Sequence, residues 1–509
     1  MVRTRFAPSP TGFVHIGSLR TALFSYLFAR HNNGKHILRV EDTDQNRKVE
    51  GALENLLRVM KGVGIEFDEG YYLKDDGSIG ERGEYGPYLQ SQRLTLYKKY
   101  ADQLITEKKA YYCFCSEQRL DDLRKEQTAL KKPPMYDKHC RNLEADEIKK
   151  QTEELKTLGK NPVVRFAIPL EGETIVHDLI YGDVKYEHKI LDDQVIIKSD
   201  GFPTYHLAVV VDDHEMQITH VIRGEEWLPS TPKHILIYQA LGFEPTKFAH
   251  LPLIFNPDKT KLSKRQGDVA VEDFLAKGYL KEALINFVAF LGWNPKTEQE
   301  IFSLDDLINQ FDLSKVNKSG AVFDTNKLDW LNSQYIKKMP GSELYRKLIP
   351  YWQTAALIVE GDSAVSIANG PVISYEFLES VAALEKERLK KLSEIGENTK
   401  YFFKEPEYDG KLLVWKKSDP DKTKKVLADL QNLISTFTNK DFEIQNLEPK
   451  IKDFISKNNF DNGSVLWPMR VALTGQEKSP SPFEVASVLA FGLGKEEILK
   501  RLKKAQEKL

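Results

Sequence analysis

Two short runs carry the side chains best suited to phosphate chemistry. In Pro8-Ser9-Pro10-Thr11-Gly12-Phe13-Val14-His15-Ile16-Gly17-Ser18, His15 and Gly17 fall at the start of a helical pattern. The free N–H groups and positive dipole end of such a helix suit an anion. A histidine there can donate to a phosphate oxygen, and a glycine two residues on lets a flat base approach the backbone. The same histidine can also be no more than a cap. The second run, Lys261-Leu262-Ser263-Lys264-Arg265, is followed by Gln266-Gly267-Asp268 and places three cations within five residues. Together they can grip a triphosphate and stabilise charge developing on a leaving pyrophosphate; the plainer alternative is a solvated basic loop. No GxxxxGK(S/T) run is present, and Gly62-Val63-Gly64 lacks a third glycine and a preceding strand, which argues against a P-loop enzyme.

The elements that must position these runs follow from periodicity. Residues 2–6 alternate like a strand, Pro8 to Gly12 break the pattern, and Leu19, Ala22, Leu23, Tyr26 and Leu27 recur at helical intervals before Gly34. His36 to Val40 read as a second strand, ending at Glu41. Strand, helix and strand make a βαβ unit, parallel and right-handed, with ligands expected at the carboxyl ends of its strands. A second α/β block begins near Leu191, with strands predicted at Gln194–Lys198, Val209–Val211 and His220–Arg223 and a helix at Thr231–Leu241. Asp212, Asp213 and His214 then end an apolar strand and are expected to be structural. Beyond Phe255 helical periodicity takes over, as in Tyr375–Ile395, Asp421–Phe437 and the amphipathic Lys495–Leu509, so the C-terminal half is expected to be all-α.

Composition bounds the rest. A chain of 509 residues allows several domains, at roughly 150 residues each, and its 41% hydrophobic and 29% charged content is that of a globular protein. No apolar run approaches the roughly 20 residues of a membrane span, and the N-terminus has no apolar leader. Three cysteines cannot build a disulfide framework, which points to a reducing, cytoplasmic location. With 73 basic and 75 acidic side chains the net charge is −2, so a polyanion must be held by local patches rather than by the whole field.

Taken together, the His15 and Lys261 runs resemble the HIGH and KMSKS motifs of class I aminoacyl-tRNA synthetases, reading His15-Ile16-Gly17-Ser18 and Lys261-Leu262-Ser263-Lys264-Arg265. The stretches RFAPSPTGFVHIGSLRTAL, LRVEDTDQ, DGFPTYHLAVVVDDH and VIRGEEWLPSTPKHILIYQALG narrow the resemblance to bacterial glutamyl-tRNA synthetases. It implies activation of L-glutamate by ATP with Mg²⁺ to glutamyl adenylate, then transfer to the 3′ end of tRNA(Glu), by a cytoplasmic monomer. The implied fold is a Rossmann-like parallel-sheet catalytic domain, interrupted by an acceptor-binding insertion and followed by an all-α anticodon-binding half. The corresponding boundaries are 1–110 and 191–255 for the catalytic halves, 111–190 for the insertion, 256–330 for the KMSKS loop and stem-contact region, and 331–509 for the anticodon-binding region. A glutaminyl-tRNA synthetase would carry a β-barrel C-terminal half, and the shorter glutamyl-queuosine enzyme would lack that half.

The resemblance assigns glutamate contacts to Arg5, Ala7, Ser9, Glu41, Tyr205 and Arg223. It assigns ATP contacts to His15, Gly17, Glu226, Trp227 and Lys264, with His15, Lys261 and Lys264 acting in catalysis. The residue types fit: an arginine fork reads a carboxylate bidentately, and an acid pairs with an ammonium. A structural ion-pair cluster is the alternative for Arg5, Glu41 and Arg223. Val209 stands where the family has an asparagine, which removes one amide from the pocket. Cys113, Cys115 and Cys140 resemble a zinc element of some members. Asn142 replaces that element's histidine; Tyr136, four residues before Cys140, resembles the tyrosine ligand of the shorter glutamyl-queuosine relative and is the expected fourth ligand, with His139 a second candidate and three buried free thiols as the alternative.

Overall fold

The structure, a computed structural model, describes residues 1–44, 47, 49–262, 270–361, 364–416 and 418–509. It divides into two compact units, 1–274 with 284–325 and 275–283 with 326–509.

In the first unit, β1 (Arg3–Phe6) is buried along its whole length, as a central strand covered on both faces must be. A turn leads to α1 (Ile16–His31), whose cap is His15: its imidazole accepts the Ser18 N–H, satisfying an amide that the helix leaves unpaired. Arg30 and His31 occupy the last turn, complementing the dipole. The return to β2 (Lys35–Leu38) requires Gly34, since a Cβ there would lie 2.3 Å from the Val2 carbonyl oxygen.

Further along are α2 (Ala52–Val63), β3 (Glu69–Leu73), β4 (Ile79–Arg82), α3 (Leu94–Thr106), β5 (Ala110–Cys113), α4 (Glu117–Ala129) and α5 (Ala145–Thr157). They are followed by β6 (Val163–Phe166), β7 (Glu173–Asp178), β8 (Gly182–Glu187), β9 (Val195–Ile197), α6 (Tyr205–Glu215), β10 (His220–Gly224), α7 (Thr231–Ala240) and β11 (Lys247–Leu251). The main sheet has the order β4-β3-β2-β1-β10-β11-β7-β8. Strands β3 to β7 in that order pair in parallel, and β4 and β8 close the two edges antiparallel. From β1 the order runs outward to β2 and β3 on one side and to β10 and β11 on the other. The crevice at the carboxyl ends of β1 and β10 is therefore the switch point, where doubly wound sheets bind ligands.

Two expectations change. Val209–Val211 is not a strand but lies inside α6, where every residue from Leu207 to Asp213 is buried. A β-branched run covered on all sides carries no periodicity to separate strand from helix, and tertiary burial overrides its propensity. The stretch 111–190 is divided between sheets: β7 and β8 join the main sheet, while β5 and β6 pair with β9 in a small antiparallel one.

The second unit is helical, packed around Trp352, Phe377 and Phe402, with Trp352 Nε1 donating to Thr399 Oγ1 at 2.9 Å. Helix Pro420–Ser435 starts from the cap Asp419 with proline at its first position, and Pro482–Leu493 from a Ser481–Glu484 capping box. The unit is not purely α: Ile358–Glu360, Val365–Ile367 and Val372–Ile373 form a three-stranded antiparallel sheet. These strands are two or three residues long, too short to show a period of two. The helix expected over Tyr375–Ile395 ends at Glu385.

Glu385 is fully buried, and burial pushes its carboxyl up to about 7 against the weak pull of Arg388. The folded chain therefore holds this proton while the unfolded chain, with an ordinary carboxyl, has already released it. Stability from this group is lost as pH rises from the unfolded value through about 7. Glu385→Gln should be more stable than wild type by about 2–3 kcal/mol at pH 8, with little difference at pH 5. Urea denaturation of both full-length proteins at the two pH values checks this.

Candidate active site

The carboxyl ends of β1, β2 and β10 deliver Arg5, Glu41 and Arg223 to one cavity of about 1030 Å³ at the switch point. Ala7 and Ser9 line it from the turn after β1, and His15 and Gly17 from the start of α1. Tyr205 opens α6 on the opposite wall, and Glu226 and Trp227 come from the short 3₁₀ segment Glu225–Ser230 that follows β10. Lys261 and Leu262 also line it, as do Pro8, Thr11, Ile16 and Ser18. Pro10 and Gly12 line a smaller neighbouring cavity of about 80 Å³. Ser263, Lys264 and Arg265 lie outside the described residues. Arg5 and Arg223, 218 residues apart in sequence, thus share one crevice because β1 pairs with β10.

Gly17 has a local reason to be glycine. A Cβ there would sit 3.1 Å from the His15 ring, so a side chain at this position would push the imidazole. His15 in turn is set by Ser18, whose amide lies 3.2 Å from Nδ1 and whose hydroxyl lies 2.9 Å from Nε2.

Behind the cavity the charges form a chain. Arg5 Nε donates to Asp213 Oδ1 at 3.2 Å, and Asp213 accepts Arg39 Nη1 at 2.6 Å. Arg39 Nη2 then reaches Glu41 Oε1 at 2.9 Å. Asp212, alongside, accepts from Arg93 Nε at 2.7 Å, Tyr97 Oη at 2.8 Å and Gln90 Nε2 at 2.8 Å. Burial alone would lower the Arg39 guanidinium, yet Asp213 and Glu41 hold it well above its ordinary value. Burial raises the Glu41 carboxyl, and Arg39 and Arg5 oppose that rise. So Arg5 and Glu41 face the cavity and are also members of a structural ion-pair cluster.

Arg223 differs. It is 5% exposed and its partners are Tyr205 Oη at 2.8 Å, His250 Nε2 at 3.0 Å, Thr231 Oγ1 at 2.8 Å, the Trp227 carbonyl at 3.4 Å and His234 Nδ1 at 3.4 Å. Among the described residues none of these is a carboxylate. His234 stands 3.0 Å from His206; burial, with nearby cations, lowers His206 to about 4 and His234 well below its usual range. Both imidazoles are neutral at pH 7 and leave the Arg223 charge uncompensated. A buried guanidinium without a counter-ion is a costly arrangement.

Sequence reasoning missed Arg39, Asp178, His234 and His250. His250 sits within β11 and Arg39 directly follows β2, where a polar residue in an apolar run is the available signal. Asp212 and Asp213 point into the ion-pair cluster, whereas His214 stacks on Phe243 with ring centroids 3.5 Å apart. Val209 is buried in the core of α6, 2% exposed.

The cysteines converge. Cys113, Cys115 and Cys140 place their sulfurs within 4.8 Å of one another. The Tyr136 hydroxyl lies 3.4 Å from Cys113 Sγ and 3.5 Å from Cys115 Sγ, and it accepts the Cys140 N–H at 3.0 Å. Hydrogen bonding from Cys140, outweighing burial, pulls the Cys113 thiol down to about 4, with Tyr136 and Arg165 adding to the effect. His139 and Asn142 are exposed. The chain between Cys115 and Tyr136 is largely the helix α4, capped by Ser116.

A doubly wound sheet with a phosphate-suited helix start and Lys261 on one switch-point cavity defines a class of nucleotide-binding catalytic domain. Residues 1–330 match the family model described as tRNA synthetases class I (E and Q), catalytic domain, and residues 343–506 match an anticodon binding domain. The chain is 44% identical to the glutamate–tRNA ligase of Alkaliphilus metalliredigens, with 100% of this chain and 99% of that protein covered. It is 45% identical to that of Clostridioides difficile, covering 98% of each. A crystal structure of a glutamate tRNA ligase from Elizabethkingia meningosepticum, in complex with its amino acid, superposes with a TM-score of 0.87 at 36% identity, covering 99% of both chains. The chain belongs to the glutamate–tRNA ligase family of class I tRNA synthetases.

Arg39→Met removes the cation shared by Glu41 and Asp213 and leaves buried carboxylates without it, which should cost about 3–5 kcal/mol of stability. Urea denaturation measures this directly; an unchanged midpoint would show that the cluster contributes nothing to the fold.

Proposed function

We propose that the switch-point cavity binds L-glutamate against ATP, forms glutamyl adenylate there and passes the glutamyl group to the 3′ end of tRNA(Glu). The observation that carries this reading is the buried, uncompensated Arg223 guanidinium, which calls for an anionic substrate. Glutamate brings two carboxylates and one ammonium, and the cavity offers Arg223 and Arg5 for the former and Glu41 for the latter. Ala7, Ser9 and Tyr205 complete the amino-acid side. His15 and Gly17 at the start of α1, Glu226, Trp227 and Lys264 make up the ATP side, with His15, Lys261 and Lys264 stabilising charge on the phosphates. Mg²⁺ accompanies ATP and neutralises phosphate charge.

No side chain has to act as nucleophile. The substrate carboxylate attacks the α-phosphorus and pyrophosphate leaves; the ribose hydroxyl of tRNA later attacks the carbonyl of the mixed anhydride, losing its proton as AMP leaves. The protein's part is to fix the reacting groups and meet developing charge with preorganised donors. The helical second unit, which contains the anticodon-binding match, is assigned to the anticodon, and the 111–190 region to the acceptor end. Among the described residues no helix is long and apolar enough to cross a membrane. We place the enzyme in the cytoplasm as a monomer.

We assign a structural zinc to Cys113, Cys115, Cys140 and Tyr136. Supporting this, three sulfurs lie within 4.8 Å of one another with the Tyr136 phenolic oxygen beside two of them, and a closed structural site needs four such ligands. The metal would hold β5 and the chain after α4 together, remote from the ATP side.

Two measurements follow. Arg223→Ala should raise the glutamate KM steeply, corresponding to about 2–5 kcal/mol for a truncated buried charge partner, with ATP KM nearly unchanged. Equal damage to both would mark a fold-level role. Elemental analysis should find about one zinc per chain, and Tyr136→Phe should weaken zinc retention against a chelator more than Asn142→Ala.

A further inference from the structure

The Arg223 guanidinium is fixed from behind by two residues that do not line the cavity. Arg223 Nε donates to His250 Nε2 at 3.0 Å, and His250 Nδ1 lies 2.7 Å from Asp178 Oδ2. The three residues sit on β10, β11 and β7, consecutive neighbours in the sheet. Asp178 is itself immobilised: Oδ1 accepts the Ile180 and Tyr181 amides at 2.9 and 2.8 Å, and Oδ2 also accepts the His250 amide at 3.1 Å. The His250 and Asp178 side chains are both 0% exposed.

A guanidinium only donates, so His250 Nε2 must accept and the imidazole proton must sit on Nδ1, facing Asp178. Burial lowers the His250 pKa while Asp178 pulls it upward. A neutral, singly tautomeric imidazole is what both neighbours select. Thr231 Oγ1, 3.2 Å from His250 Nε2, completes the contacts around that nitrogen.

We propose that Asp178 and His250 are positioning residues for amino-acid binding, an orienting relay that fixes the Arg223 fork without neutralising it. The proposal rests on the reading of Arg223 as the partner of a substrate carboxylate. Arg5 shows the alternative arrangement, a guanidinium held by direct contact with a carboxylate, Asp213. An acid placed directly on Arg223 would compete with the substrate for the same donors. Interposing a neutral imidazole transmits the orientation of Asp178 while leaving the cation's charge for the ligand. Such supporting contacts keep a binding group within the narrow angular range that bidentate recognition needs.

The test uses the full-length enzyme and tRNA aminoacylation, with KM for glutamate, KM for ATP and kcat measured separately. His250→Asn keeps an amide donor near Asp178 but withdraws the acceptor from Arg223 Nε; His250→Gln extends an amide oxygen to the Nε2 position. Glutamate KM should rise about tenfold to a hundredfold in His250→Asn, the range for one lost hydrogen bond to a charged group. ATP KM and kcat should stay within about twofold, and His250→Gln should recover most of the loss. Equal values for the two variants, or parallel damage to glutamate and ATP, overturns the relay. Arg223→Ala run alongside separates the two ideas: an unchanged glutamate KM there refutes the reading of Arg223, whereas a raised KM with an unaffected His250→Asn refutes only the relay. Because a buried histidine variant can fail to fold, the tautomer is also read on the wild type by ¹⁵N–¹H correlation of its histidine side chains, with His250 assigned by the signal lost in His250→Gln or by selective labelling. An Nδ1–H, unprotonated Nε2 pattern supports the proposal, and a proton on Nε2 contradicts it.

Discussion

The cavity depends on one arrangement of buried charge: Arg5, Asp213, Arg39 and Glu41 form an unbroken chain beneath it, with Asp212 and Arg93 attached at the side. Removing any one ion from such a set strands its neighbours in a medium where an unpaired charge costs several kcal/mol. Each member therefore fixes the others, and the positions of Arg5 and Glu41 at the cavity wall are set by residues that never reach it. The chain also ties β1 and the end of β2 to α6, so the site and the core of the first unit are stabilised together. Every carboxylate in the set is answered by an arginine, and none of the hydrogen-bond partners of the buried Arg223 is a carboxylate among the described residues.

Topology turns this into a binding site. The strand order reverses direction at β1 and β10, so the chain leaves the sheet on both sides and a crevice opens between the two departures. Into it the first turn contributes the start of α1, and the crossover after β10 contributes Glu226 and Trp227. The Tyr205 and Trp227 rings, with centroids 4.4 Å apart, close the wall next to Arg223. The anion-seeking side chain and the phosphate-suited helix terminus thus face one volume, which is the juxtaposition that adenylate formation requires.

Much of this was legible in the residues. That His15, Gly17 and Lys261 line one cavity is in keeping with their type and spacing, and β1, α1 and β2 follow from clean periodicity bounded by proline and glycine. What failed to show were features set by burial on all sides. The Val209–Val211 run reads as strand because β-branched residues favour strands, yet α6 is enclosed and its backbone conformation is decided by packing. The short strands between Ile358 and Ile373 were invisible for a different reason, since two or three residues carry no pattern. Arg39, Asp178 and His250 were missed because they meet partners from distant elements: Arg39 meets Asp213 of α6, and Asp178 and His250 lie 72 residues apart and meet only once β7 and β11 pair. Sequence spacing shows what a residue can do; which residue it does it with is a property of the sheet.

The central claim is that the uncompensated Arg223 guanidinium is the anchor for the amino acid. The most direct measurement is a crystal structure of this chain with glutamate bound. The account expects a substrate carboxylate within hydrogen-bonding distance of Arg223, with Arg5–Asp213 and Arg39–Glu41 intact. Glutamate bound with both carboxylates away from Arg223, or an Arg223 that has turned to pair with a carboxylate of the protein, would contradict it.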